Sequence, residues 1–264
     1  MRGNRTPRPF MAQPRELHLL REASVLKVFD REQAQLCAGF HSVARANTRL
    51  PLLVTHGLLK RFFLPTERGG KKSLYSMTRK GASVAQISFT GLNRAADRML
   101  VGDLFVAHQL HINQIYLELK YKPIPIQGIQ FRRWLVIKAP LSPSSAIIPD
   151  GYFELTTPNR TVSCFLEVDL GGETSKVWKS KIEAYLNLAV TGDFEHQFQQ
   201  PQFRVLIVTT TDRRRDALRT LAAKYTEKLF WITTFTAINR DGLWSPVLAP
   251  AKGRPGPVAF VRNP

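Results

Sequence analysis

Cysteine is scarce in this chain. Two occur in 264 residues, Cys37 and Cys164, each inside an apolar pattern and far from the other. That excludes a disulfide framework and a spaced zinc-binding pair, and two buried, reduced thiols of a cytosolic protein are expected instead. Long apolar runs are also missing. Nothing approaches the roughly 20 consecutive apolar residues needed to cross a bilayer, so no membrane partner is expected. The opening segment MRGNRTPRPF is basic but has no apolar centre of the kind a secretory signal carries; residues 1–13 read as a disordered basic arm. Acidic residues are the third shortage, with 20 Asp and Glu against 38 Lys and Arg for a net charge of +18. An excess of this size points to a polyanionic partner, nucleic acid before an anionic membrane surface.

What is present suits two small domains or one large one, since the length and an apolar share of 44% supply ample core. Residues 14–86 read as a helical unit closed by a hairpin. Arg15–Glu22 places Leu17, Leu19 and Leu20 inward, Asp30 caps a second helix over Arg31–Ala38, and a third helical stretch stops at Gly57. LLKRFFLP and SLYSMT then flank the turn-rich TERGGKK and read as paired strands. Three helices and a hairpin make a winged helix-turn-helix. Its candidate DNA-binding residues are Arg45 and Arg49 on the third helix, with Lys60, Arg61, Arg68, Lys71, Lys72, Arg79 and Lys80 on and around the wing, against the single acid Glu67. In the DNA-binding reading the third helix enters the major groove and the wing holds phosphates; a protein docking module with a solvated, charged hairpin is the alternative. Pro51 falls inside the third helix, which therefore either starts late or is kinked.

Residues 87–102 read as a linker, 103–243 as a second domain and 244–264 as a Pro-rich, loosely packed tail. The segment Asp103–Lys120 has the broad apolar face of a core helix, and His108 and His111 within it read as core residues rather than metal ligands. Strand-like runs follow at about Ile126–Val136, Ala146–Leu155 and Val162–Leu170, then a helix over Glu173–Val190, a strand over Phe203–Thr211, a helix over Asp212–Tyr225 and a strand over Leu229–Ile238. This order implies an α/β (α+β) mixed sheet flanked by helices. Arg213, Arg214 and Arg215 read as the exposed first turn of a helix, with DNA contact beyond the wing as the alternative.

Acids appear where the apolar strands should end. Val162, Cys164, Leu166 and Val168 alternate with Ser163, Phe165, Glu167 and Asp169, so both carboxylates share a face, and Asp150 stands near the middle of the preceding strand. Three carboxylates without a cation repel one another. Mg²⁺ or Mn²⁺ held by Asp150, Glu167 and Asp169, with a lysine from the next helix beside it, would make a nuclease site. A solvated strand end paired with those lysines accounts for the same residues equally well.

The order and spacing of LYSMTRKGASVA, VGDLFVAHQLHINQIYLEL, IIPDGYFEL, FLEVDLGGET and WKSKIEAYL resemble the replication-relaxation family of bacterial plasmids and mobile elements. The resemblance covers residues 14–240. It implies a winged helix joined to a restriction-endonuclease-like domain related to the PD-(D/E)XK nucleases. It also implies DNA as partner alongside replication or mobilisation proteins, and a bacterial cytoplasmic setting. Pro149 and Asp150 match the PD element and Glu167 with Val168 the acidic strand motif, while Asp169 stands where the nuclease signature has lysine. The resemblance then makes Lys181 the first candidate for the displaced lysine and Lys176 the second, with Glu173 as a further ligand or a helix N-terminal carboxylate. The expected function is a metal-dependent DNA endonuclease or nickase. The alternative is a non-catalytic DNA-binding initiator or accessory factor on the same scaffold.

Overall fold

The computed structural model describes residues 11–65, 69–89, 103–142 and 147–253. Two compact units divide between Leu117 and Glu118.

The first unit begins with α1 (Pro14–Leu26), whose proline occupies the first turn, where no amide partner is required. After β1 (Phe29–Asp30), the Asp30 carboxylate accepts from the Gln33 amide at 2.8 Å and starts α2 (Arg31–Ala38); Gly39 at φ 62° ends it. Ser42 caps α3 (Val43–Thr55). Pro51 is interior to α3, neither in its first turn nor at its end, and it removes the amide that would bond the Asn47 carbonyl. β2 (Leu59–Pro65) and β3 (Lys71–Met77) pair antiparallel from Leu59↔Met77 to Pro65↔Lys71, and β1 joins the far side of β3. A winged helix results, as the helix–helix–helix–hairpin order led one to expect. The short helix α4 (Arg79–Ala85), capped by Thr78, has no counterpart in the sequence reading. There the Leu58 carbonyl lies so close to Gly81 that a Cβ would sit 2.2 Å from it.

The helix α5 (Asp103–Tyr121) starts within this first unit rather than opening the second. Its buried Asn113 donates to the Leu26 and Val28 carbonyls at 3.1 and 2.6 Å, and the Tyr116 hydroxyl donates to Glu22 at 2.5 Å. The half-buried His111 bonds the Ala107 carbonyl through Nδ1, consistent with a packed histidine.

The second unit is a six-stranded mixed sheet. Its strands are β4 (Gln130–Leu135), β5 (Gly151–Thr156), β6 (Thr161–Asp169), β7 (Phe203–Thr209), β8 (Phe230–Thr234) and β9 (Ala249–Pro250), ordered as numbered. β4, β5 and β6 run antiparallel in turn, β6, β7 and β8 are parallel, and β9 returns antiparallel to β8. The parallel crossovers contain α6 (Ser175–Val190), α7 (Asp193–Phe198) and α8 (Asp212–Ala222), and α9 (Phe235–Asp241) follows β8. The sequence pattern carries the last strand through Ile238, but Thr234 caps α9 and ends the strand. The segment assigned to a loose tail is packed as far as it is described, with Leu248, Ala249 and Ala251 buried. Residues 1–10, Arg68 of the wing and the remainder of the tail from 254 lie outside the described residues.

One face of the sheet carries an aromatic core. Tyr152, Phe165, Phe203 and Phe230 meet Trp178, Ile182, Tyr185 and Leu188 of α6 and Phe194 and Phe198 of α7. The spacing of the four α6 residues makes one apolar stripe. Buried acids bracket this core on the same face. At one end Glu154, fully buried, accepts from Arg133 at 2.5 Å and from the Tyr152 hydroxyl at 2.7 Å. At the other end lie Glu167 and Asp169. Both cysteines are buried free thiols.

Candidate functional site

The basic residues singled out for DNA separate into two groups. Arg45, Lys60, Arg61 and Lys71 are exposed. Alternation along β2 turns Phe62 and Leu64 into a small core with Val28, Leu74 and Val106, so Arg61 and Phe63 face outward, the Arg61 guanidinium lying 5.3 Å from the Phe63 ring. Arg49, Lys72, Arg79 and Lys80 each meet a neighbouring group, Arg79 and Lys80 while remaining exposed. Arg49 pairs with the fully buried Glu16, tying α3 to α1. Lys72 pairs with Asp30 at 2.5 Å. Lys80 donates to the His56 carbonyl at the end of α3, and Arg79 stands 5.7 Å from the Phe89 ring. Arg79 and Lys80 therefore belong to α4 and not to the wing.

The acidic site lies where β6 ends. Asp150 is not in mid-strand; it immediately precedes β5, one step beyond the pair Gly151↔Leu166. Its carboxylate accepts from the Val168 amide at 2.7 Å, which holds it beside Glu167. Trp134 packs over Gly151, where a Cβ would come 2.4 Å from the ring. A side chain at this position would force that indole to shift.

Glu167 is 2% exposed, and both its oxygens have donors: Tyr185 Oη at 2.6 Å on Oε1 and Lys181 Nζ at 2.9 Å on Oε2. Lys181 also reaches Glu173, at 2.7 Å, and sits 4.9 Å from the centre of the Trp178 ring. Its position one turn after Trp178 and one turn before Tyr185 puts it at the border of the apolar stripe, so its stem is buried while its ammonium meets the acids. Lys176, the second candidate, is exposed.

Asp169 is engaged differently from the other two acids. Its side chain is fully buried; Oδ2 accepts from Arg214 Nε at 2.5 Å and Oδ1 from the Gly171 amide at 3.0 Å. The same guanidinium donates to the Glu173 carbonyl at 2.5 Å. Arg214 thus binds both ends of the turn between β6 and α6, and the reading of Arg213–Arg215 as a merely exposed first turn fails at its middle residue. No periodicity marks Arg214, because its partner is 45 residues away. Among the described residues no group of three or more His, Cys, Asp or Glu is placed to hold a metal ion. The three acids read as one ligand set are therefore divided: Asp150 and Glu167 stand together beside Lys181, and Asp169 is neutralised by Arg214.

Burial pushes the Glu167 carboxyl up to about 7, and the charge of Asp150 adds to the rise, against the opposing pull of Lys181 and Tyr185. Lys181 is held protonated well above its ordinary range because the attraction of Glu167 and Glu173 outweighs its desolvation. A carboxyl whose pKa rises on folding binds its proton more tightly in the native state, so its contribution to stability is full below its ordinary value of 4.5 and is lost as the pH rises through about 7. The wild type is therefore expected to lose stability relative to Glu167→Gln between pH 4.5 and 7. Urea unfolding of both proteins across that window is the check; a constant difference would show that Glu167 titrates in its ordinary range, one of opposite slope would show its carboxyl held below that range, and either contradicts the rise.

No described helix is long and apolar enough to cross a membrane. No curated protein and no solved structure matches the chain. The profile of the family described as replication-relaxation does match, over residues 15–200, which takes in the winged helix, α5, the first three strands of the large sheet and both helices that follow them. With more than half of its length so matched, the chain belongs to the replication-relaxation family.

Proposed function

We propose that this is a DNA-binding protein of a plasmid or mobile element whose second unit nicks DNA with the help of a divalent cation. The family suggests a role in plasmid or mobile-element replication or relaxation. The observation that carries the nicking reading is the placement of Asp150 and Glu167 side by side at the end of β6 with the Lys181 ammonium 2.9 Å from Glu167. Two hard oxygen donors suit Mg²⁺ or Mn²⁺, which is commonly held by one or two carboxylates, with water and substrate phosphate completing its shell. Such an ion, held by Asp150 and Glu167, would supply charge neutralisation at the phosphate and a more acidic water.

The chain's own groups do the remaining work. Tyr185 fixes one oxygen of Glu167, leaving the carboxylate a single orientation. Lys181 brings positive charge to where a phosphate's oxygens would lie, the part assigned to lysine in related chemistry. Arg214 holds the turn that presents Glu173. Incubating supercoiled plasmid with the chain in Mg²⁺ and in EDTA tests the reading. A second reading, a non-catalytic DNA-binding factor, is favoured by the counter-charges already supplied to Glu167 and Asp169 by Lys181 and Arg214.

The winged helix supplies DNA affinity in both readings. Arg61→Ala with Lys71→Ala is expected to weaken binding to many sequences alike and to flatten the log–log salt dependence by up to about 0.9 for each phosphate left without its cation. Lys72→Ala should change the slope less, because Lys72 already serves Asp30. Fluorescence anisotropy across a salt series measures this; an unchanged slope in the folded double variant removes the wing from the interface.

A further inference from the structure

We infer that Lys181 is a displaceable counter-ion, which occupies Glu167 when no divalent cation is present and moves its charge to Glu173 when one binds. The inference rests on the metal-assisted reading of the site and adds how the site is kept closed. An ammonium has three donors. Lys181 spends hydrogen bonds on Glu167 at 2.9 Å and on Glu173 at 2.9 Å, with the Trp178 ring 4.9 Å away. A cation that takes an oxygen of Glu167 competes for the atom Lys181 holds, since Oε1 is already given to Tyr185.

Glu173 makes the exchange feasible. It lies on the turn before α6, its side chain is 34% exposed, and it already meets the ammonium through both oxygens, at 2.7 and 2.9 Å. Lys181 can therefore release Glu167 without becoming an unpaired buried charge, which would be costly. Arg214 keeps this second acceptor in place by holding the Glu173 carbonyl. Lysine and metal are then linked reciprocally through one carboxylate, each weakening the other's hold.

Calorimetric titration of the full chain with Mn²⁺ tests this through a cycle of variants. Lys181→Met is expected to bind Mn²⁺ about 10-fold more tightly than wild type, a coupling of ordinary size. Glu173→Gln is expected to bind several-fold more weakly, and that loss should vanish in the Lys181→Met background, because Glu173 matters only as the place to which Lys181 moves. A mere loss of nearby negative charge would weaken binding equally in both backgrounds, and that outcome overturns the inference, as does unchanged or weaker binding by Lys181→Met. Lys181→Gln stands in if the methionine variant does not fold. In ¹⁵N-lysine-labelled protein the Lys181 ammonium signal should shift on adding Mg²⁺. If neither wild type nor Lys181→Met binds Mn²⁺, the cation reading of the site falls along with the inference; binding without the predicted non-additivity overturns the inference alone.

Discussion

Arg214→Ala is expected to cost the protein about 3–5 kcal/mol of stability, the usual penalty for removing one partner of a buried ion pair. Asp169 has a fully buried side chain, and without Arg214 its only remaining described donor is the Gly171 amide. The turn between β6 and α6 also loses the clamp on Glu173. Denaturant unfolding measures the loss. Adding Asp169→Asn should recover part of it, because the buried group is then neutral and no longer needs a counter-charge. A cost below about 1 kcal/mol, the range of exposed pairs, would mean that water reaches Asp169 and that the pair is a surface one.

Lys181→Met is expected to slow cation-dependent nicking by about 100-fold or more, the size of effect that follows loss of a positioned charge. The corresponding change at Lys176 should leave the rate near wild type. The two lysines are five residues apart on α6, roughly 140° around the helix, and only Lys181 meets the acids. Single-turnover nicking with near-ultraviolet circular dichroism as a fold control separates them. If Lys176→Met slows the reaction and Lys181→Met does not, the charge is supplied from the exposed face of α6.

The features legible in the sequence are those set by local periodicity and capping. Asp30 before Arg31–Ala38 announces a helix, and Gly69-Gly70 between apolar runs announces the wing. Two-residue alternation along β6 puts Glu167 and Asp169 on one face, and one-turn spacing sets Lys181 between Trp178 and Tyr185. Tertiary partners are not legible. Nothing near Arg49, Lys72 or Arg214 in the sequence says that Glu16, Asp30 and Asp169 neutralise them, so three basic side chains that look available for DNA or solvent are spent internally. Asp150 is misplaced within its strand by pattern alone because apolar Ile147 and Ile148 extend the strand-like run upstream of Gly151, where the ladder begins. The short helices α4, α7 and α9 escape notice because six or seven residues give too little periodicity, and only Thr78, Gly192 and Thr234 mark their starts.

The nicking of supercoiled plasmid by wild type, Asp150→Asn and Glu167→Gln, with DNA binding followed on the same samples, bears most directly on whether this site is chemical. Open-circular product is expected from wild type in Mg²⁺ or Mn²⁺, none in EDTA, and none from either variant while DNA binding is retained. Binding without nicking by the wild type, with every DNA form and either cation, would contradict this and leave the second unit as a scaffold whose acids are neutralised by Lys181 and Arg214.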